Sequence, residues 1–216
     1  MKTAIVFDLD GTLIDSAPDI QAAINNVMRD VATDPFDLPT VVSFIGNGVP
    51  KLVERAMQKR AIPEYRHAEL TQMMLEFYDA NPATLTRLYP NVQNALLALK
   101  QRGHPLGICT NKPEEAARKI LSAFGLDEFF GAVVGGDSLP QRKPDPAPLH
   151  DTYQKLGTTS CIYVGDSEVD AETAQRAGLS FALFSKGYRK TPVEKIYNTS
   201  VFDDFAELPI IIETLV

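Results

Sequence analysis

Two carboxylates stand two residues apart in Val6-Phe7-Asp8-Leu9-Asp10-Gly11-Thr12, directly after the apolar run Ala4 to Phe7. Such a run reads as a buried strand, and alternate side chains of a strand share a face, about 6.6 Å apart along its axis. Asp8 and Asp10 are therefore expected together at the carboxyl end of a strand, where open α/β sheets bind ligands. Taken alone, the pattern also suits an Asx turn, which Asp and Gly favour. Other apolar runs end in polar groups too. Leu106 to Cys109 is followed by Thr110, Asn111 and Lys112, and Cys161 to Val164 by Gly165-Asp166-Ser167 and then Asp170. Between them, Arg142-Lys143-Pro144-Asp145 brings a lysine. Four carboxylates in one crevice repel one another unless cations compensate. Lys143 supplies one positive charge and a hard divalent cation the rest. Oxygen donors alone suit Mg²⁺, which takes further oxygens from a phosphate. The three histidines and two cysteines show no zinc spacing.

The elements that must position these residues follow from periodicity. Ile20, Ala23, Ile24, Val27, Met28 and Val31 recur at helical spacing, and Ser16 with Asp19 reads as a capping-box start. Further helices are expected over Val49 to Lys59 and His67 to Asn81, with no strand between Asp15 and about Pro82. From Asn91 onward helices and strands alternate. The strands are Leu106 to Cys109, Ala132 to Val134, Cys161 to Val164 and Phe181 to Phe184. The helices run to Arg102 before Gly103, from Pro113 to Gly125, from Ala147 to Leu156, and from Val169 to Ala177 before Gly178. The Asp203-Asp204 pair reads as the cap of a last helix. This alternation predicts an α/β fold, a doubly wound, Rossmann-like parallel sheet with an inserted all-helical domain. Residues 1–14 and 83–216 would form the core, and 15–82 a cap over the carboxyl ends of the strands.

Bulk properties narrow the function. A net charge of −7 over 216 residues argues against nucleic acid or an anionic membrane as a partner. It leaves room for a small anionic substrate bound beside local cations. Cys109 and Cys161 are expected as buried, reduced thiols. With no signal-peptide h-region and no membrane-length apolar run, the expected location is cytoplasmic.

The four motifs, Asp8-Leu9-Asp10-Gly11-Thr12, Thr110-Asn111, Lys143-Pro144 and Gly165-Asp166-Ser167 with Asp170, occur in an order that resembles the haloacid dehalogenase-like hydrolase superfamily. Within it, Asp15-Ser16-Ala17-Pro18-Asp19, Ile45-Gly46-Asn47-Gly48, Arg87-Leu88-Tyr89-Pro90 and Thr110-Asn111-Lys112-Pro113 resemble the phosphoglycolate phosphatase group. The resemblance implies a Mg²⁺-dependent phosphatase acting on a small phosphate ester. Asp8 would be the nucleophile and Asp10 the acid and base. Asp8, the Asp10 carbonyl and Asp166 would hold the metal, with Asp170 orienting them. Thr110, Asn111 and Lys143 would hold the phosphoryl group. The cap loop Gly46-Asn47-Gly48 is expected to reach the substrate, and Lys51 could add a positive charge near it. Lys112 and Arg142 read as solvated loop charges, and Arg55 as a surface or ion-pair residue. A phosphosugar mutase, a phosphonoacetaldehyde hydrolase using Lys51 as a Schiff base, and a phosphate-sensing binding protein remain alternatives.

Overall fold

The computed structural model describes residues 3–80 and 83–216. Six strands form one parallel sheet: β1 (Ala4–Phe7), β4 (Leu106–Cys109), β5 (Ala132–Val134), β6 (Cys161–Gly165), β7 (Phe181–Phe184) and β8 (Ser200–Phe202). Their spatial order is β5-β4-β1-β6-β7-β8, which is 3-2-1-4-5-6 counted by appearance, the doubly wound Rossmann order. The centre is β1, where Val6 opposes Gly107 on one side and Tyr163 on the other. Its side chains alternate between two cores. Ile5 and Phe7 pack with α5 (Val92–Gln101), α6 (Glu114–Ala123) and α9 (Leu208–Leu215). Ala4 and Val6 pack with α7 (Ala147–Lys155) and α8 (Glu168–Ala177). Burial on both faces explains why these strands read as unbroken apolar runs.

Between β1 and β4 the chain leaves the sheet through a neck. β2 (Ile14–Asp15) and β3 (Arg87–Leu88) pair antiparallel, Ile14 with Leu88 and Asp15 with Arg87. The helices α1 (Ala17–Asp30), α2 (Leu38–Phe44), α3 (Val49–Lys59) and α4 (His67–Ala80) lie between these two strands. α1 packs on α2 and α4, and α3 packs on the same two. The expected end of α4 at Asn81 and the expected cap boundary at residue 82 fall outside the described residues.

Two readings need correction. Ser16 precedes α1 but caps nothing with its side chain. Its hydroxyl donates to Asp10 Oδ1 at 2.6 Å, and Asp19 accepts from the Leu85 and Thr86 main chain and the Thr86 hydroxyl. Asp19 thereby ties the outgoing helix to the returning segment. Asp204 likewise accepts from Ala206 N in the turn before α9, whose N-cap is Glu207. The capping box that does form is Ser167 with Asp170 at the start of α8. Cys109 and Cys161 are buried free thiols. Among the described residues no helix is long and apolar enough to cross a membrane.

Candidate active site

The strand order reverses between β1 and β6, and the segments leaving those strands carry the acids. Asp8 continues the β1 ladder, its N–H donating to Val164 O at 2.9 Å. Asp8, Asp166 and Asp170 are buried, and one carboxylate oxygen from each lies within 4.8 Å of the others. Gly11 permits this closeness: at its φ of +89° a Cβ would sit 2.5 Å from Asp166 Oδ2. Thr12 Oγ1 and the Tyr188 N–H donate to the two Asp166 oxygens at 2.7 and 2.6 Å. Asp170 Oδ2 accepts from the Ser167 hydroxyl at 2.6 Å, while Oδ1 takes Lys143 Nζ at 2.6 Å and the Tyr163 hydroxyl at 3.0 Å.

Lys143 also lies 2.9 Å from Asp8 Oδ1, an oxygen that nevertheless receives no well-directed hydrogen bond. Burial pushes the Asp8 carboxyl up to about 6, with Lys143 pulling it down and Asp170 pushing it further up. Burial, then Asp170 and Asp8, raise Asp166 well above the usual carboxylate range. For Lys143 burial acts downward, but Asp170 and Asp8 outweigh it and hold the ammonium above its ordinary value. Three buried carboxylates thus cluster where a single ammonium meets two of them, with a buried acceptor left over. That donor set fits a hard divalent cation. Asp170 is the member whose oxygens are most fully engaged, which suits an orienting role.

The Asp10 carboxylate is not part of that trio. Its oxygens accept from Ser16 and from Lys112 Nζ, the latter at 2.8 and 2.9 Å. Lys112 is no solvated loop charge. Its side chain is 4% exposed, and its ammonium also donates to the Tyr78 hydroxyl of α4 at 2.6 Å. Burial acts to lower Lys112, and Asp10 and Tyr78 reverse this.

A cavity of about 270 Å³ joins both groups. Asp8, Asp10, Thr110, Asn111, Lys112 and Lys143 line its floor, and Ile45, Gly46, Gly48, Val49, Leu52 and Tyr78 its cap side. Thr110 Oγ1 accepts from Lys112 N at 3.2 Å, and among the described residues its own proton has no acceptor. The Asn111 carboxamide is spent elsewhere than on an open phosphoryl position. It donates to Gly46 O and Lys143 O, both at 3.0 Å, and accepts from Lys143 N. It stitches the floor to the cap loop instead.

The cap loop has its carbonyls bound in succession: Phe44 O by Arg55, Ile45 O by Lys190 and Gly46 O by Asn111. Gly48, with φ +82°, would place a Cβ 3.2 Å from Asn111 O, so a larger residue there presses on the floor. Asn47 does not line the cavity, since its side chain turns outward to accept from Arg55 at 2.7 Å. Arg55 is therefore a brace of this loop. Lys51 pairs with Glu54 at 2.7 Å on the exposed side of α3 and does not line the cavity, which removes it as a Schiff-base lysine. Arg142 is exposed as a residue, but it is not a purely solvated charge: its Nε donates to Gly136 O. Sequence reasoning gave no role to Thr12, Tyr78, Tyr163 or Tyr188. For Tyr78 the one available signal was its place on the α4 stripe with Leu70 and Met74, which reads as core.

Residues 5–184 match the family model of haloacid dehalogenase-like hydrolases. A phosphoglycolate phosphatase of Cereibacter sphaeroides is 51% identical over 213 residues, covering 98% of each chain. One from Haemophilus influenzae is 36% identical over 213 residues, covering 94% of this chain and 95% of that protein. The crystal structure of a predicted phosphoglycolate phosphatase from Haemophilus somnus superimposes with a TM-score of 0.92 at 36% identity, covering 98% of both chains.

Proposed function

The chain belongs to the haloacid dehalogenase-like hydrolase family, and on that premise we propose that it hydrolyses 2-phosphoglycolate to glycolate and phosphate. One observation carries the chemistry: Asp8 lies buried on the cavity floor with a carboxylate oxygen that no donor properly satisfies. The names of the similar proteins support the choice of ester.

In this reading an Asp8 oxygen attacks phosphorus, and the bond from phosphorus to the ester oxygen breaks. Asp10 gives its proton to the departing alkoxide, which leaves as glycolate. Water then attacks phosphorus of the aspartyl-phosphate. Asp10 takes the proton of that water, and Asp8 is regenerated as phosphate departs. Thr110 has a free hydroxyl proton to donate to a phosphoryl oxygen, and Lys143 balances charge that builds in the transition state. Asp8, Asp166 and the Asp10 carbonyl would hold Mg²⁺, with Asp170 keeping Lys143 and the Asp166 loop in register. Bound there, Mg²⁺ offsets phosphoryl charge and orients the ester. The cap helices close the cavity against bulk water while the phosphoenzyme exists.

A panel of phosphate monoesters tests this, compared by kcat/KM with and without Mg²⁺. The expected result is metal-dependent turnover with 2-phosphoglycolate preferred. Full activity in excess chelator, or no turnover of 2-phosphoglycolate, overturns it.

A further inference from the structure

We propose that Lys112 and Tyr78 form the subsite for the substrate's carboxylate, at the seam between core and cap. This rests on the reading of the protein as a 2-phosphoglycolate phosphatase. That substrate carries a phosphoryl group at one end and a carboxylate at the other, so a second anion must be met somewhere in the cavity.

The two ammonium groups that line the cavity have unequal obligations. Lys143 lies within 2.9 Å of both Asp8 and Asp170 and is oversubscribed. Lys112 meets a single carboxylate, Asp10, and the neutral hydroxyl of Tyr78. The cations around the cap loop are turned to other tasks: Lys51 to Glu54, Arg55 to Phe44 O and Asn47, Lys190 to Ile45 O. Lys112 thus carries the smaller anionic load of the two, and since its three protons are spent on Asp10 and Tyr78, a second carboxylate enters by displacing one of its two bonds to Asp10.

Tyr78 supplies an independent observation. An ammonium can only donate, so the Tyr78 oxygen is the acceptor in its bond with Lys112. Its own proton has no acceptor among the described residues, although the side chain is 5% exposed and lines the cavity. A buried donor left unpaired is costly, and a ligand oxygen at this place relieves it.

Reach completes the argument. An ester oxygen close enough to Asp10 to receive its proton carries the carboxylate one methylene away. It therefore falls near the groups that themselves touch Asp10, and Lys112 touches both Asp10 oxygens. The incoming carboxylate takes the Tyr78 proton and one Lys112 bond. The Asp10 oxygen released by Lys112 is then free to turn toward the ester. An ester without a carboxylate gains neither contact.

The test compares 2-phosphoglycolate with ethyl phosphate, in which a methyl group replaces the carboxylate, for wild type, Tyr78→Phe and Lys112→Met. The ratio of their kcat/KM values should fall about 10-fold in Tyr78→Phe and about 100-fold in Lys112→Met, the scale of lost neutral and charged hydrogen bonds. Calorimetric binding of 3-phosphonopropionate against propylphosphonate should lose the same discrimination, with no dependence on turnover. A wild type that prefers 2-phosphoglycolate, with both ratios unmoved in both variants, overturns the subsite and leaves the phosphatase reading standing. A wild type that turns over neither ester defeats that reading instead.

Discussion

The floor of the cavity and its cap side are built on different principles. The floor comes from strand ends of a sheet buried on both faces. Asp166 and Asp170 are each held by several bonds, as when Asp170 joins Ser167, Lys143 and Tyr163, and they leave Asp8 facing Lys143 with one oxygen unsatisfied. The cap side offers mostly apolar side chains, main chain at Gly46 and Gly48, the Tyr78 hydroxyl, and Gln72 and Glu76 of α4. It meets the core through a few side-chain bonds, from Asn111 to Gly46 O, Lys190 to Ile45 O and Lys112 to Tyr78. A rigid floor suits bond making and breaking, and a lightly tethered cap suits selection and closure. Floor substitutions should therefore act on kcat, and cap substitutions on KM and substrate preference.

The largest effect is expected for Asp8→Asn, which should lower turnover by roughly 10⁴ or more while the fold stays intact by circular dichroism. Activity within tenfold of wild type would remove the nucleophile from the account. Lys143→Ala should lower kcat by roughly 10²–10³ and weaken vanadate binding. A loss under threefold would make Lys143 an ordinary structural lysine. At the seam, Lys190→Ala should raise KM about two- to fivefold with little change in kcat, the scale of one exposed hydrogen bond. An equal fall in kcat would show that the cap tether belongs to the chemistry and blur the contrast.

The pH dependence of metal stabilisation sharpens the same contrast. In the metal-free protein burial lifts Asp8 from 3.8 to about 6 and raises Asp166 also. The native state then holds these protons more tightly than the unfolded chain. That contribution is complete below 3.8 and is lost as pH rises through about 6. A divalent cation takes the place of the protons, so Mg²⁺ should raise Tm little near pH 5 and by several degrees near pH 8, roughly 1 kcal/mol or more of linkage. Equal shifts at both pH values would contradict a carboxylate cradle at Asp8 and Asp166.

Much of the floor was legible in the sequence because its residues sit beside strands that announce themselves. Leu106 to Cys109, Ala132 to Val134 and Phe181 to Phe184 are short, unbroken apolar runs and form strands with those bounds. The edge strand β8 was not read, since Val201 faces outward and no apolar run marks it. The short helix α2 was missed for a related reason, with Pro39 in its first turn and two buried residues to give it a pattern. Lys112 was misread because its burial depends on Tyr78, a partner 34 residues away on another helix. Asn47 and Lys51 were assigned by nearness in sequence to the glycines, and helix and loop geometry turn both side chains outward. Long-range pairing of this kind leaves no local signature.

The central claim is that the floor acid Asp8 carries the phosphoryl group. Turnover of 2-phosphoglycolate stopped in acid, followed by peptide mapping by mass spectrometry, tests it most directly. The phosphoryl group is expected on the peptide containing Asp8, localised to that residue. A phosphoryl group on any other side chain would contradict it.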